Sequence, residues 1–87
     1  MKDFIKINPK DNVIVALKDL PINHIINLEE ISIELKNDVN QGHKIAIKEI
    51  KKNENIIKYG VSIGHALEDI KIGEHVHTHN IKTNLKD

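Results

Sequence analysis

All three alanines of the chain stand at the same place in an eleven-residue pattern that can be written three times without gaps: Ala16 to Ile26 (ALKDLPINHII), Ala46 to Ile56 (AIKEIKKNENI) and Ala66 to Val76 (ALEDIKIGEHV). The shared places are Ala first, Asp or Glu fourth, Leu or Ile fifth, Asn or Gly eighth, and Ile or Val last. A unit this short cannot supply the helices of a solenoid. It reads as a short strand, a tight turn and another strand. The acidic residue can accept backbone N–H groups just ahead of it, and Asn23, Asn53 and Gly73 stand where a positive φ costs least. The copies begin 30 and then 20 residues apart. They therefore predict loops of one irregular β domain, not the blades of an array.

Composition agrees with strands. The apolar set is 17 Ile, 5 Val and 6 Leu, with Phe4 and Tyr59 the only aromatics. β-branched side chains are stiff at χ1 and pack well on a pleated surface. A chain of 87 residues buries only about 60–65 % of its unfolded surface and has room for one small core. Strand-like runs fall at Phe4 to Ile7, Val13 to Leu17, Ile31 to Leu35, Lys44 to Ile47, Ile56 to Tyr59 and His75 to His79. The fold class expected is all-β, with six or seven short strands and at most one short helix. That helix would start after Asn27, where Glu29 and Glu30 follow an acceptable cap; strand and helix fit Leu28 to Leu35 equally well. Residues 37–42 (NDVNQG) read as a polar turn. One domain is expected over residues 1–80, with 81–87 a polar tail or linker.

Thirteen lysines balance thirteen acidic residues and there is no arginine. The bidentate contacts that arginine makes to phosphate or guanine are absent, so a nucleic-acid partner is not expected. No cysteine is present for a disulfide, a thiolate nucleophile or a thiolate metal site, and no long apolar run predicts a signal peptide or a membrane span. A cytoplasmic location is the expectation. A net charge of zero gives weak colloidal repulsion, which suits a chain that packs against a partner. GxSxG, Walker-type and GxGxxG motifs do not occur, which argues against self-sufficient hydrolase or kinase chemistry.

Six histidines is a high count for this length, and three lie at alternate positions, His75, His77 and His79 in GEHVHTHN. On a strand these would project from one face about 6.5–7 Å apart, near enough for neighbours to converge on one divalent ion. A metal site, polar contact to a substrate and a solvated face are the readings open to them. Glu74 fits a local turn hydrogen bond better than a fourth ligand. His43 and Lys44 follow Gly42, where a strand start can aim a cation at a carboxylate; a solvated lysine is the alternative. Tyr59 opens KYGVSIG, whose two glycines predict a tight turn and close backbone approach. The ring itself reads as half-buried packing. His24 and His65 have no partner near in sequence and read as incidental.

Three segments, GHK (Gly42 to Lys44), YGVSIGHA (Tyr59 to Ala66) and GEHVHTHN (Gly73 to Asn80), together with IKINPKDNVIVALKDL near the start, resemble the N-terminal SAF-like domain of the altronate/galactarate dehydratase family over almost the whole chain. The resemblance implies a small β-clip module of a sugar-acid hydro-lyase, of the type that converts D-altronate to 2-dehydro-3-deoxy-D-gluconate. It implies a divalent cofactor, Fe²⁺ or Mn²⁺, held by His75, His77 and His79, and substrate contacts from His43, Lys44 and Tyr59. A large catalytic subunit or domain is the implied partner, and the small chain is expected to be inactive alone. Starting at Met1, it is expected to be a separate small subunit, although an excised module would read the same. Two other readings stand beside this one: the small subunit of a sulfolactate sulfo-lyase, and a non-catalytic module that binds a sugar acid or metal or serves docking alone.

Overall fold

The computed structural model describes residues 3–6, 8–29 and 31–84. Among them are nine strands and no helix: β1 (Phe4–Ile5), β2 (Val13–Ala16), β3 (Ile25–Leu28), β4 (Ile31–Glu34), β5 (Lys44–Ala46), β6 (Asn55–Lys58), β7 (Val61–Ala66), β8 (His75–Val76) and β9 (Ile81–Thr83). Every pairing is antiparallel. A central sheet runs β1-β2-β5-β8, flanked by the β3–β4 hairpin and by the three-stranded sheet β6-β7-β9. The all-β expectation holds, and no helix long and apolar enough to cross a membrane is present among the described residues.

The inner strands β2 and β5 of the central sheet are largely buried on both faces, and the two-residue period of a strand divides their side chains between two cores. Ile14, Ala16 and Ile45 join Ile26, Leu28 and Ile33 in one core; Val13, Ala46 and Val76 join Ile56, Ala66, Ile70 and Ile81 in the other. This explains why β2 reads VIVA as an unbroken apolar run.

The tertiary structure shows a fourth copy of the eleven-residue pattern, Leu35 to Ile45 (LKNDVNQGHKI), which begins with leucine and so escapes a search anchored on alanine. Its polar turn contains Val39, fully buried and bridged to Leu20; Ile50 and Ile70 form the matching bridge in the other half. The four copies thus pair two by two, each pair spanning one hairpin. In every copy the N–H of the eighth residue donates to the carbonyl of the first residue of the partner copy: Asn23 to Leu35 (2.9 Å), Gly42 to Ala16 (2.8 Å), Asn53 to Ala66 (2.8 Å) and Gly73 to Ala46 (2.8 Å). All four donors hold positive φ, between 73° and 90°.

The acidic fourth residue behaves differently from the local expectation. Asp19 accepts the Gln41 N–H (2.8 Å), Asp38 the Ile22 N–H (2.7 Å) and Asp69 the Lys52 N–H (2.9 Å), so each carboxylate caps the turn of the partner copy. A sequence shows the turn but not which distant turn lies within reach.

Three further differences have simple causes. Among the described residues Leu28 to Leu35 contains a strand and no helix, because Leu28 pairs with Ile31 and Glu29 takes φ 48°. Val61–Ala66 is a strand following a turn in which Tyr59 and Gly60 both have positive φ, the conformation of a tight hairpin. Ile81–Thr83, assigned by polarity to the tail, pair with β7 and bury Ile81 at 5 % exposure. Ile7, Glu30 and residues 85–87, on which parts of the first-strand, helix and tail expectations fall, lie outside the described residues.

Candidate functional site

Strand register assembles the candidate site. Strands β5 and β8 pair Lys44 with Val76 and Ile45 with His75; one more step places His43 opposite His77. The Ala16 N–H donates to the His43 carbonyl (2.9 Å), which continues the β2–β5 ladder through His43 and puts its ring on the same face as Ile45. The imidazoles of His43 and His77 are stacked, 3.8 Å between centroids and 8° from parallel. His75 lies diagonally, its ring centroid 5.0 Å from that of His43, with His43 Nδ1 2.8 Å from His75 Nε2. One of those nitrogens carries the shared proton. One nitrogen from each of His43, His75 and His77 falls within 4.8 Å of the others, and all three rings are half-buried.

This differs from alternation along a single strand. The strand ends at Val76 and the chain turns through His77 to Asn80. His79 is exposed, tilted 34° from His75 at 5.1 Å, and outside the convergent trio. His43, expected as a substrate contact, takes its place. The structure brings His75 and His77 together as expected, and adds a residue 32 positions away.

Two asparagines set the ring positions through the backbone. Asn80 is 4 % exposed; its Oδ1 accepts the His77 N–H (3.0 Å) and its Nδ2 donates to the His75 carbonyl (2.8 Å). Asn37 Oδ1 accepts the His75 N–H (3.0 Å). The motif gave Asn80 no role; the signal was present, because an asparagine closing a turn habitually bonds the backbone behind it. Glu74 accepts the Lys71 N–H (2.5 Å) as a local turn bond, as its place in the repeat predicts.

Partial burial, followed by the neighbouring imidazoles with His79 foremost, lowers the His75 pKa to about 4. His77 is lowered as well, by burial first, then by His43 and Lys44. Both rings are therefore neutral at pH 7 and offer lone pairs. Among the described residues the trio includes no carboxylate. Three imidazole nitrogens suit a divalent transition ion such as iron, zinc or manganese. A nitrogen ligand sits about 2.0–2.1 Å from such an ion, so nitrogens sharing a tetrahedral ion are roughly 3.4 Å apart; the trio, within 4.8 Å of one another, would have to close by about an ångström. The residues fit a metal, and the proton between His43 and His75 is the one it would displace.

Lys44 points to the other face of β5, with Ala46, beside a cavity of about 360 Å³ that Lys58 also lines. Burial, and then the charge of Lys58, lowers its pKa. Tyr59 is 49 % exposed in the hairpin turn, with the Lys58 ammonium 4.8 Å from its ring centroid. His24 is not incidental: its Nε2 lies 2.8 Å from Asp3 Oδ2, and Lys18 Nζ is 3.0 Å from the other oxygen. His65 lies in β7, paired in register with Asn55 and Lys82.

The chain was compared with known proteins. Residues 2–84 match the model of the altronate/galactarate dehydratase SAF domain. An altronate dehydratase of Bacillus subtilis (strain 168) is 54 % identical over the whole chain, which covers 18 % of that enzyme. An altronate dehydratase of Escherichia coli (strain K12) is 49 % identical over 97 % of the chain and 17 % of its own length. The (2R)-sulfolactate sulfo-lyase subunit alpha of Chromohalobacter salexigens is 45 % identical over 61 % of the chain and 56 % of that subunit. The chain spans less than a fifth of the length of the two dehydratases. With a matching fold and a family match over almost its full length, the chain belongs to the altronate/galactarate dehydratase SAF-domain family.

Proposed function

We propose that the chain is the small module of a metal-dependent sugar-acid hydro-lyase of the altronate type, holding a divalent ion at His43, His75 and His77. The carrying observation is the convergence of three imidazoles from two separate segments at one sheet edge. Relatives named altronate dehydratase, 54 % and 49 % identical, supply the substrate class.

Such a reaction removes the proton α to a carboxylate and expels the β-hydroxyl as water, leaving an enol that becomes the 2-keto acid. A bound Fe²⁺ or Mn²⁺ would supply Lewis acidity toward a substrate oxygen. Neutralising the substrate carboxylate makes the adjacent proton more acidic; Lys44 lies on the opposite face of β5 from the trio, so that cation would come from the rest of the enzyme. Asn80 and Asn37 fix the imidazoles so that binding costs little reorganisation. The rest of the dehydratase, over four-fifths of its length in the relatives, would supply the base and most of the substrate pocket, which leaves this chain inactive alone.

The test is dehydration of D-altronate with Fe²⁺ or Mn²⁺, by this chain alone and after mixing with the large portion of the enzyme. Turnover only in the mixture, lost with metal content in His43→Ala and His75→Ala, is expected. Full activity of the large portion without this chain, or of both variants, would sink the reading. The match to a sulfo-lyase subunit alpha favours a second reading, loss of sulfite from sulfolactate, which the same mixture tests with that substrate.

A further inference from the structure

The Lys44 cavity lies across the central sheet from the imidazole trio. Strand parity fixes this arrangement: Lys44 faces the side of Ala46 and Val76, whereas His43 and His75 face the side of Ile45. The cavity, about 360 Å³, lies in the size range of small-molecule sites. Its walls bring together Lys44 of β5, Lys58 of β6, Ser62 of β7, and Thr83 and Asn84 at the end of β9, over an apolar floor that includes buried Ile81.

Two cations share this space, and among the described residues no carboxylate lines it and neither lysine forms an ion pair. Elsewhere in the molecule cations do find acids, as Lys18 finds Asp3 and Lys51 finds Glu49. Bringing two ammonium groups to one half-buried cavity costs free energy, which a bound anion recovers. The depressed Lys44 pKa, caused by burial and by Lys58, agrees with a site short of one negative charge. The rim is ordered: Asn84 N–H donates to the Ile63 carbonyl (2.9 Å) and Asn84 Nδ2 to the Ser62 carbonyl (3.0 Å). The Lys58 ammonium lies 4.8 Å from the centroid of the Tyr59 ring, a cation–π contact.

We propose that Lys44 and Lys58 together form a carboxylate-binding site for a small hydroxy acid, with the polar rim of Ser62, Thr83 and Asn84 available to its hydroxyls. Only the identity of the acid rests on the function proposed above; the pairing of two lysines in one cavity stands by itself. Lys58 is the new member, and nothing in its sequence neighbourhood marks it.

The experiment is an NMR titration of the ¹⁵N-labelled chain, free of metal and at constant ionic strength, with D-altronate and with the uncharged polyol altritol. Altronate should shift the amides of Lys44, Ser62, Thr83 and Asn84 saturably, and altritol should not. Lys44→Gln and Lys58→Gln should each weaken altronate binding about fivefold or more. Removal of a like charge should leave the melting temperature of Lys58→Gln unchanged or higher, which separates lost binding from lost folding. No saturable shift up to about 50 mM altronate, equal shifts with altritol, or undiminished binding by Lys58→Gln would each overturn the proposal; silence toward free acids would leave the lysines to an acidic side chain of a partner. Because neither metal nor turnover is involved, failure here leaves the dehydratase reading untouched, and an inactive mixture leaves this site untouched.

Discussion

Replacing Asn80 by alanine tests whether the imidazole geometry is built by the backbone turn or merely by chance contact of the rings. The substitution removes two side-chain hydrogen bonds, from the His77 N–H at 3.0 Å and to the His75 carbonyl at 2.8 Å, at a residue only 4 % exposed. Each bond contributes about 1 kcal/mol net, and part-buried partners left unpaired add to the cost, which gives a loss of ~2–3 kcal/mol. For a domain of this size that corresponds to a melting temperature lower by roughly 10–20 °C. The backbone bond from Leu67 N–H to the Asn80 carbonyl survives, so the loss is local and the fold persists. Freed from the turn, His75 and His77 no longer hold a fixed spacing, and affinity for Mn²⁺ should fall about 10- to 100-fold, as for other outer supports of metal ligands. Asn80→Asp retains the acceptor for His77 but loses the donor to His75, and should lie between the two. Thermal and urea melts of the metal-free chain, followed by Mn²⁺ titration, measure both effects. A change under about 0.5 kcal/mol with unaltered metal affinity would refute the reasoning.

Two further predictions concern the frame around the site. A methyl group at Gly64 would overlap the backbone carbonyl of Lys82, which cannot yield as a flexible side chain would; Gly64→Ala should therefore cost ~2–4 kcal/mol by displacing β9, and an unchanged urea midpoint would show that β9 is not held so closely. At the other end, hydrogen bonds from Lys18 and then His24 hold the Asp3 carboxyl below its usual value of 3.8. The lowered folded-state pKa means that the stability Asp3 contributes is present above the unfolded pKa and is lost as pH falls through the folded one. The urea-midpoint difference between wild type and Asp3→Asn should accordingly be present at pH 7 and vanish on strong acidification, and a difference independent of pH would refute the assignment.

Much of the frame was legible before any coordinates. The Asn23, Asn53 and Gly73 turns carry the positive φ that their residue types make cheap. The β-branched composition led to strands, and the glycine pair in KYGVSIG led to a tight turn and a close approach, realised at Gly60 and at Gly64 against β9. What escaped depends on contacts between distant segments. The copy beginning at Leu35 was hidden because its first side chain is larger, yet the same bridge and the same capping aspartate reveal it in space. Asp19 was read as a local cap, but its partner is Gln41, 22 residues away.

Local residue chemistry sets the alphabet of this chain: short strands, tight turns with Asn or Gly at the left-handed position, and an imidazole-rich segment free of cysteine. These follow from φ preferences and side-chain stiffness, which act within a few residues. Which histidines meet depends on the packing of distant strands. Register across β5 and β8 sets His43 against His77, and the turn closed by Asn80 carries His79 away from the trio. The same register turns Lys44 to the opposite face, where it meets Lys58. Pairing register is a property of two strands at once, and a one-residue slip would have exchanged the two faces.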